Sequence, residues 1–359
     1  MQQLASFRQK AGLIRTLKSL PFLAAALGVF LRPAAAMAGV ARGLDACVHT
    51  IIPSMFPFLV LSQLVLESPL AEWAGLALLP YTRLLGIRSK KAPSALLCGL
   101  LGGFAAGARS IGLLHRSGEL SSREASRLMV CTICSGPSFV VGSVGTVMLG
   151  STAAGWALFG VQVLASLVCG LLFRGKDAPP PALLAAPAGA PDKGFVNAVA
   201  DGVHATALLC GYITLFAFFA AVATPANAGA AARLCVTLPL EVTSACLAAA
   251  ELTLPGKIYL CAAAVSVMGA SVFVQVRAFA GPGISLTPLL LSRPAHLPLM
   301  LALLRIFLAV FPLSLPASAP LGGWTPAFRM PADAFCAVFV LCALIFAPQN
   351  GWQRHKKGL

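Results

Sequence analysis

Residues 131–150 read CTICSGPSFVVGSVGTVMLG, an apolar stretch that is interrupted near its middle by Ser135, Gly136, Pro137 and Ser138. Proline lacks a backbone donor and glycine is a poor helix former, so these residues predict a break in a helical segment. In a bilayer a helix can be broken only where the freed backbone groups find protein or water partners. The stretch therefore predicts a helix that is broken within the membrane and lines a cavity.

The composition is that of a membrane protein. Of the 359 residues, 58% are hydrophobic and 10% are charged, and the mean hydropathy is +0.87. Soluble domains are nearer to about one half apolar and about one quarter charged. Apolar stretches of about 20 residues recur along most of the chain, which excludes a soluble protein with a large core. We expect an all-α multipass membrane protein that is embedded in the lipid bilayer.

The charged residues are unevenly placed. Lys and Arg total 26 against 11 Asp and Glu, and the basic residues collect at 8–18, at 354–357 and in short connections. Basic segments are retained in the cytoplasm, so both termini are predicted to be cytoplasmic. No basic face is interleaved with aromatic residues, so no nucleic-acid partner is predicted. The apolar run at 20–31 is compatible with a cleaved signal peptide or with a first span.

Apolar runs and polar punctuation divide the chain into two sets of candidate helices. The first set is 20–41, 46–66, 71–87, 93–115, 125–150 and 153–173, and the second is 196–223, 228–252, 256–280, 297–317 and 333–348. The residues between the sets are rich in Pro, Ala and Gly and predict an extended linker. The predicted organisation is a basic N-terminal region with a first apolar segment at 1–42, a first membrane half at 43–173, the linker at 174–194, a second membrane half at 195–317, and a C-terminal span with a basic tail at 318–359.

The two halves carry similar features in the same order. A constant offset of 134 residues places FAAGAR (104–109) over LPLEVT (238–243), and SGPSFV (135–140) over GASVFV (269–274). Few positions are identical, so the order of the features carries the comparison. Paired breaks at corresponding positions of two halves indicate a transporter binding site. The alternative is close packing of small residues, with a kink at Pro137.

Polar groups near the two breaks are the predicted ligands. Amides at a helix N-terminus favour an anion, and serine hydroxyls add hydrogen bonds. A charged side chain inside an apolar segment costs about 2.5–3.5 kcal/mol to insert, so it is a functional candidate. Arg109 is predicted to neutralise an anionic substrate, and Glu241 to accept a coupling proton or cation. Alternatively, Arg109 snorkels to the interface and Glu241 lies in an interfacial turn. The full predicted site is Gly107, Arg109, Ser135, Gly136, Pro137, Ser138, Glu241, Thr243, Ser244, Gly269, Ser271 and Gln275.

Two further patterns have structural interpretations. Cys131 and Cys134 form an isolated CxxC with no second pair and no adjacent His, so neither a metal site nor a redox site is predicted. Ser121 or Ser122 is predicted to cap the following helix, with Glu124 in its first turn. The sequence contains no recognisable enzyme motif, and neither an enzyme nor a cofactor is predicted.

Several of these stretches together resemble a known family. ACVHTIIPSMFPF (46–58), GARSIGLLHRSGELS (107–121) and SGPSFVVGSVG (135–145) are similar to the YlbJ-type sporulation integral membrane proteins. Those proteins carry nucleoside-recognition Gate domains related to concentrative nucleoside transporters. The resemblance implies two inverted-repeat Gate-type halves with broken helices and helical hairpins. It also implies a multi-pass protein of the outer forespore membrane.

The resemblance further implies a function in sporulation. That function is membrane transport of a small organic anion, with dipicolinate, moved from the mother cell toward the forespore, as the preferred substrate. Family members usually have Pro at the position of Ala105 and Asn just before the Ser/Gly-Pro turn, where this chain has Ile133 and Cys134. Amide side chains are thus missing from the expected site, whereas the backbone break is kept. A nucleoside or nucleobase permease and a non-transporting scaffold of a sporulation membrane complex are the alternatives.

Overall fold

A computed structural model describes residues 27–68, 73, 75–175, 194–225, 227–254 and 256–313. All regular structure within these ranges is helical. Five of the helical segments in these ranges are long and apolar enough to cross a membrane, which fits the predicted multipass membrane protein. The predicted segment at 333–348, most of the linker and the basic terminal residues lie outside the described residues.

The helices of the first half are α1 (Pro33–Ala46), α2 (Ile52–Glu67), α3 (Leu79–Leu84), α4 (Ala92–Arg116), α5 (Ser122–Thr132), α6 (Ser138–Met148, with π-type hydrogen bonding) and α7 (Thr152–Leu172). The helices of the second half are α8 (Gly194–Ala223), α9 (Ala230–Thr237), α10 (Val242–Ala250), α11 (Lys257–Val267), α12 (Gly269–Ala280) and α13 (Thr287–Val310). The two sets of elements correspond to the two predicted sets of segments, with differences described below.

Helices α1 and α2 form a nearly continuous rod that packs antiparallel to α8. A π-helical turn at Cys47–Ile51 joins them, and residues 42–45, between the predicted segments 20–41 and 46–66, are helical as part of α1. Glycines allow the rod to approach α8 closely, because a Cβ atom on Gly43 would lie only 2.6 Å from the Thr214 Cα atom. Further along, a Cβ atom on Gly202 of α8 would lie 2.6 Å from Val60 Cγ2 of α2.

Helix α4 is folded back on itself at Gly103. The φ and ψ angles of Gly103 are 83° and −179°, a conformation that glycine adopts without a steric penalty. A Cβ atom on Gly107 would lie 2.8 Å from the Gly99 Cα atom, although residues eight positions apart in a straight helix are separated by about 12 Å. The predicted span at 93–115 is therefore a helical hairpin, which we call hairpin 1, with its tip at Gly103.

The predicted span at 228–252 is also a hairpin, which we call hairpin 2. It consists of α9 and α10, which have 8 and 9 residues and are each too short to cross a bilayer. Arg233 at one end forms an ion pair with Glu251 at the other, whereas a straight helix would separate them by about 27 Å. The tip of hairpin 2 is the turn at 238–241.

Each hairpin is followed by a helix that is interrupted near its middle. Helix α5 ends at Thr132, residues 133–136 are not helical, and α6 follows Pro137. Helices α11 and α12 are separated by Met268, and both Met268 and Gly269 have left-handed φ angles, of 69° and 71°. The chain is thus interrupted at or immediately before SGPSF and GASVF, the two places that the sequence predicted.

The two hairpins open at opposite ends of the bundle. Both limbs of hairpin 1 end near the start of α5, where Lys91 pairs with Glu119 at 3.2 Å. The C-terminus of α12 reaches the same end, where Arg116 Nη1 donates to the carbonyl of Ala280. Because α11 and α12 cross from hairpin 2 to this end, hairpin 2 opens at the other end. The predicted cap of α5 is confirmed, since the Glu124 amide donates to Ser121 Oγ at 3.2 Å.

Two predicted segments have different bounds in the structure. The candidate helix at 71–87 is shorter than predicted, because the described residues there include only a short helical turn and the six residues of α3. Helix α13 begins ten residues before the predicted start at 297, at Thr287. Pro294 and Pro298 both lie inside the helix. Membrane helices tolerate proline where neighbouring groups satisfy the freed carbonyls.

Candidate functional site

In the first half, the tip of hairpin 1 touches the interruption between α5 and α6. A Cβ atom on Gly136 would lie 3.1 Å from the Gly103 amide nitrogen, so the two backbones are in direct contact. Glycine at both positions permits this approach, since any larger residue would separate the two segments. The hairpin tip and the broken helix therefore form one local unit.

The second half repeats this arrangement with backbone hydrogen bonds. At the interruption before α12, the amides of Ala270 and Ser271 donate to the carbonyls of Pro239 and Leu240 in the tip of hairpin 2, at 2.8 and 2.9 Å. The sequence analysis predicted that backbone amides at GASVF bind an anion. Two of these amides, those of Ala270 and Ser271, are already hydrogen bonded within the protein. The two contacts are related by the same offset of about 134 residues as the sequence features.

A small cavity lies between these two units. Its volume is about 30 Å³, roughly the space occupied by one water molecule. Five of the predicted site residues line it: Ser135, Gly136, Glu241, Thr243 and Gln275. The remaining lining residues are apolar: Met55, Phe104, Phe139, Leu209, Ile213, Val242 and Val272.

Four of the lining residues lie at or near the start of helical segments. Phe104 follows the bend of hairpin 1, Phe139 is in the first turn of α6, Val242 begins α10 and Val272 is in the first turn of α12. Each helix N-terminus carries a partial positive charge of about one half of a unit charge. Helix starts beside these residues contribute partial positive charge, although the Ala270 and Ser271 amides at the start of α12 are bonded to hairpin 2 and most of the cavity walls are apolar.

Glu241 is buried at the tip of hairpin 2, with 3% of its surface exposed. Its carboxylate caps α10 by accepting hydrogen bonds from the amides of Thr243 and Ser244, at 2.8 and 2.6 Å. Those two residues contribute backbone amides to the carboxylate. One buried carboxylate thus occupies one of the four helix N-termini.

Gln275 leaves one polar atom of the cavity wall without a partner. Its Nε2 atom donates to Ser271 Oγ at 2.7 Å, while Oε1 is buried and has no hydrogen-bond partner among the described residues. A buried acceptor that stays unpaired costs about 1–3 kcal/mol. Because Gln275 lines the cavity, a hydrogen-bond donor inside the cavity could satisfy this acceptor.

Arg109 lies away from the cavity, on the second limb of hairpin 1. Its guanidinium donates to Gln63 Oε1 and to the carbonyl of Asp201, the latter at 2.8 Å, and pairs with Asp201 Oδ2 at 3.2 Å. Gln63 Nε2 in turn donates to the same carboxylate oxygen at 3.1 Å. This cluster joins hairpin 1 to α2 and α8, with Arg109 and Gln63 buried and the Asp201 side chain partly exposed.

The other predicted residues take local structural positions. Gly107 packs against Gly99 and Thr132 inside the first half, and neither Pro137 nor Ser138 lines the cavity. Both CxxC thiols are buried and donate to protein oxygen atoms. Within the described ranges, no group of three or more His, Cys, Asp or Glu residues could hold a metal ion.

Gln162 on α7 is a site-supporting residue that the sequence analysis missed. Its Oε1 accepts from the Ser135 amide at 3.3 Å, and its Nε2 donates to the Ser135 carbonyl at 2.8 Å. Both backbone groups of Ser135, within the interruption, are thereby satisfied by one side chain. A lone amide residue within the apolar run at 153–173 is the signal that could have identified it.

Two more missed residues, Arg293 and His296, are buried on α13. The imidazole of His296 is hydrogen bonded to Ser266 Oγ at 2.7 Å and to Ser166 Oγ at 3.0 Å. Arg293 Nη2 lies 3.5 Å from the carbonyl of Val130, near the end of α5. Because the predicted segment began at 297, both residues were assigned to a connection and received no functional interpretation.

The comparisons with known proteins agree with the motifs. No family model matches the chain, and no solved structure matches it. The chain is 28% identical over 153 residues to the sporulation integral membrane protein YlbJ of Bacillus subtilis strain 168, and the aligned region is 43% of this chain and 38% of that protein. The predicted resemblance is confirmed by this match. The protein is a multipass membrane protein similar to a sporulation integral membrane protein, and the similarity supports a YlbJ-type assignment.

Proposed function

We propose that the protein is a membrane transporter for a small organic anion, with dipicolinate as the preferred substrate. The observation that carries this proposal is one cavity between two interrupted helices, whose lining includes residues at or near the start of four helical segments. Helix N-termini bind carboxylate and phosphate groups, and discontinuous membrane helices use them at the binding sites of transporters. The similarity to a sporulation protein supports sporulation, and with it the outer forespore membrane, as the setting.

Glu241 is the proposed site of a coupling proton. As a carboxylate it holds the amides of Thr243 and Ser244, which a substrate carboxylate would also use. Two carboxylates at one helix N-terminus repel each other, so an anionic substrate is favoured when Glu241 is protonated and neutral. Entry of the substrate and uptake of a proton would then be linked.

The small cavity corresponds to a closed conformation in this proposal. A volume of about 30 Å³ admits one water molecule and excludes an aromatic dianion, so the hairpin tips must separate to admit a substrate. Hairpins 1 and 2 open at opposite ends of the bundle, and each touches one interruption. Movement of one hairpin at a time would expose the cavity to one side of the membrane. This arrangement supports the two inverted-repeat halves that the resemblance implied.

A nucleoside or nucleobase is the second candidate substrate. The unpaired Oε1 atom of Gln275 accepts a hydrogen bond, and a nucleobase or ribose carries donors whereas the dipicolinate dianion carries none. The rings of Phe104 and Phe139 line the cavity and suit a planar aromatic group of either substrate.

Uptake by purified protein in liposomes tests the proposal. We expect saturable entry of dipicolinate that is stimulated by an inward proton gradient, with Gln275→Leu altering the KM. Arg305→Gln, an exposed change on α13, is the control and leaves uptake unaltered. Uptake of uridine without uptake of dipicolinate would favour the second candidate. Transport of neither compound would refute the carrier proposal and favour the scaffold alternative.

A further inference from the structure

Arg293 and His296 form a polar pair on α13 that the proposed substrate site does not use. They lie one helical turn apart within an apolar segment, and His296 is fully buried. Polar side chains at such positions are costly in a membrane and persist where they have specific partners. We call the two residues the α13 bridge, because their partners belong to both halves of the protein.

The imidazole of His296 joins α7 to α11. One ring nitrogen contacts Ser166 Oγ on α7, and the other contacts Ser266 Oγ on α11. In a neutral imidazole one nitrogen donates and the other accepts, and a hydroxyl can do either, so both bonds can form at once. A single side chain from the second half is therefore bonded to one helix of each half.

The two serines are adjacent to the two interruptions. Ser166 accepts a hydrogen bond from the Cys134 thiol at 3.2 Å, and Cys134 lies in the interruption that follows α5. Ser266 precedes the left-handed residue Met268 by two positions. A chain of hydrogen bonds through Ser166, His296 and Ser266 thus connects the first interruption to the residues beside the second.

Arg293 makes a parallel connection at the ends of the preceding half-helices. Its Nη2 atom lies 3.5 Å from the carbonyl of Val130 near the C-terminus of α5, and its Nη1 atom lies 3.8 Å from Met268 Sδ at the C-terminus of α11. A cation near helix C-termini is stabilised by their partial negative charge. No carboxylate pairs with Arg293 in the part of the chain that the structure describes, so the helix ends and carbonyls stabilise its charge.

We propose that His296 is a positioning residue that holds the two interrupted helices in register, with Arg293 in support. Hairpin 1 contacts the first interruption and hairpin 2 contacts the second, so the α13 bridge transmits a displacement of one unit to the other. This coupling role rests on the proposed transport function. The structural connection itself does not, and it can be tested separately.

Maleimide labelling of Cys134 tests the connection without any substrate. In the native protein Cys134 is buried and bonded to Ser166, so labelling, followed by mass spectrometry of its peptide, is expected to be slow. His296→Leu should raise the labelling rate on the order of tenfold, which corresponds to the loss of one buried hydrogen bond. His296→Gln, which can bond both hydroxyls, should restore most of the protection.

Cys246 and Cys261 provide the internal control, because both are buried at the contact of α10 with α11. They should stay protected in His296→Leu, and Arg305→Gln should leave all three thiols protected. Unchanged labelling of Cys134 would overturn the proposal. Equal labelling of all three thiols would also overturn it, since that result indicates general unfolding.

Dipicolinate uptake tests the coupling. Because the cavity residues are untouched, His296→Leu should lower the maximal rate about tenfold and change the KM by less than about twofold, with recovery in His296→Gln. A rise in KM alone would overturn the coupling role. If the native protein does not transport dipicolinate, the transport proposal fails, while the labelling of Cys134 still decides whether the α13 bridge exists.

Discussion

Replacing Gly269 by alanine is expected to separate hairpin 2 from α12. Gly269 has a φ angle of 71°, in the left-handed region. An added Cβ atom would lie 2.9 Å from the Glu241 amide nitrogen and equally close to the carbonyl carbon and oxygen of Leu240. All three contacts are with backbone, which cannot rotate away as a flexible side chain would. The new methyl group must therefore displace the tip of hairpin 2.

Two contributions determine the size of the effect. A residue with a Cβ atom in the left-handed conformation costs about 1–2 kcal/mol. Overpacking a tight contact costs about 1–3 kcal/mol more. The total loss of stability is thus about 2–5 kcal/mol, or roughly 4–20 °C in the midpoint of thermal unfolding on the scale known for soluble domains.

Thermal unfolding of the purified variant in detergent measures this loss. Gly160→Ala is the matched control, because Gly160 lies on an exposed face of α7 with open space around its Cα atom. That control should be neutral or stabilising by up to about 1 kcal/mol. A Gly269→Ala protein with the native midpoint, or an equal loss in both variants, would refute the close contact on which the candidate site depends.

Three further predictions concern polar groups. Asp201→Asn weakens the ion pair with Arg109 and should lower stability in detergent by about 1–2 kcal/mol, because the pair is only partly exposed to solvent. Gln162→Leu leaves the amide and carbonyl of Ser135 without their partner and should cost about 1–3 kcal/mol for each group, measured in the same assay. Glu241→Gln removes the proposed proton acceptor, so dipicolinate uptake into liposomes should lose its stimulation by an inward proton gradient.

Each of these predictions has a contradicting result. Lys91→Gln disrupts the exposed ion pair with Glu119 and should lower stability by less than about 1 kcal/mol. If it lowers stability as much as Asp201→Asn does, the ion pair of Arg109 with Asp201 is no stronger than an exposed one. Native stability of Gln162→Leu would mean that other groups satisfy the interruption. If an inward proton gradient still fully stimulates dipicolinate uptake by Glu241→Gln, a residue other than Glu241 accepts the coupling proton.

The break at Pro137 could be predicted from the sequence because its cause is local. A proline without a donor, beside glycine and two serines, interrupts an apolar helix wherever that helix lies. The cap of α5 is equally local, since Ser121 and Glu124 are three residues apart and bond each other's backbone. The second interruption also coincided with a glycine, at Gly269, which adopts the left-handed angle without strain.

The hairpins could not be predicted in the same way from the residues alone. The segment at 92–116 has the length and hydropathy of one span, and Gly103 is compatible with either a straight or a folded helix. The fold at Gly103 depends on the contact of Gly99 with Gly107 across the two limbs and on the contact of Gly103 with Gly136 in the first interruption. Likewise, Arg109 could be identified as unusual, but its partner Asp201 is 92 residues away.

The sequence by itself determined the membrane class, the two sets of helices and the two interruptions, because these follow from hydropathy and from the backbone chemistry of Pro and Gly. The tertiary structure decided which interruptions meet, which polar residues face the cavity and which are satisfied elsewhere. Residues 287–296 lay outside the predicted segments, yet α13 begins at Thr287, continues through Pro294 and Pro298, and carries His296 between α7 and α11. The physical reason is that a buried polar group is stable only with a partner, and distant segments supply most of these partners.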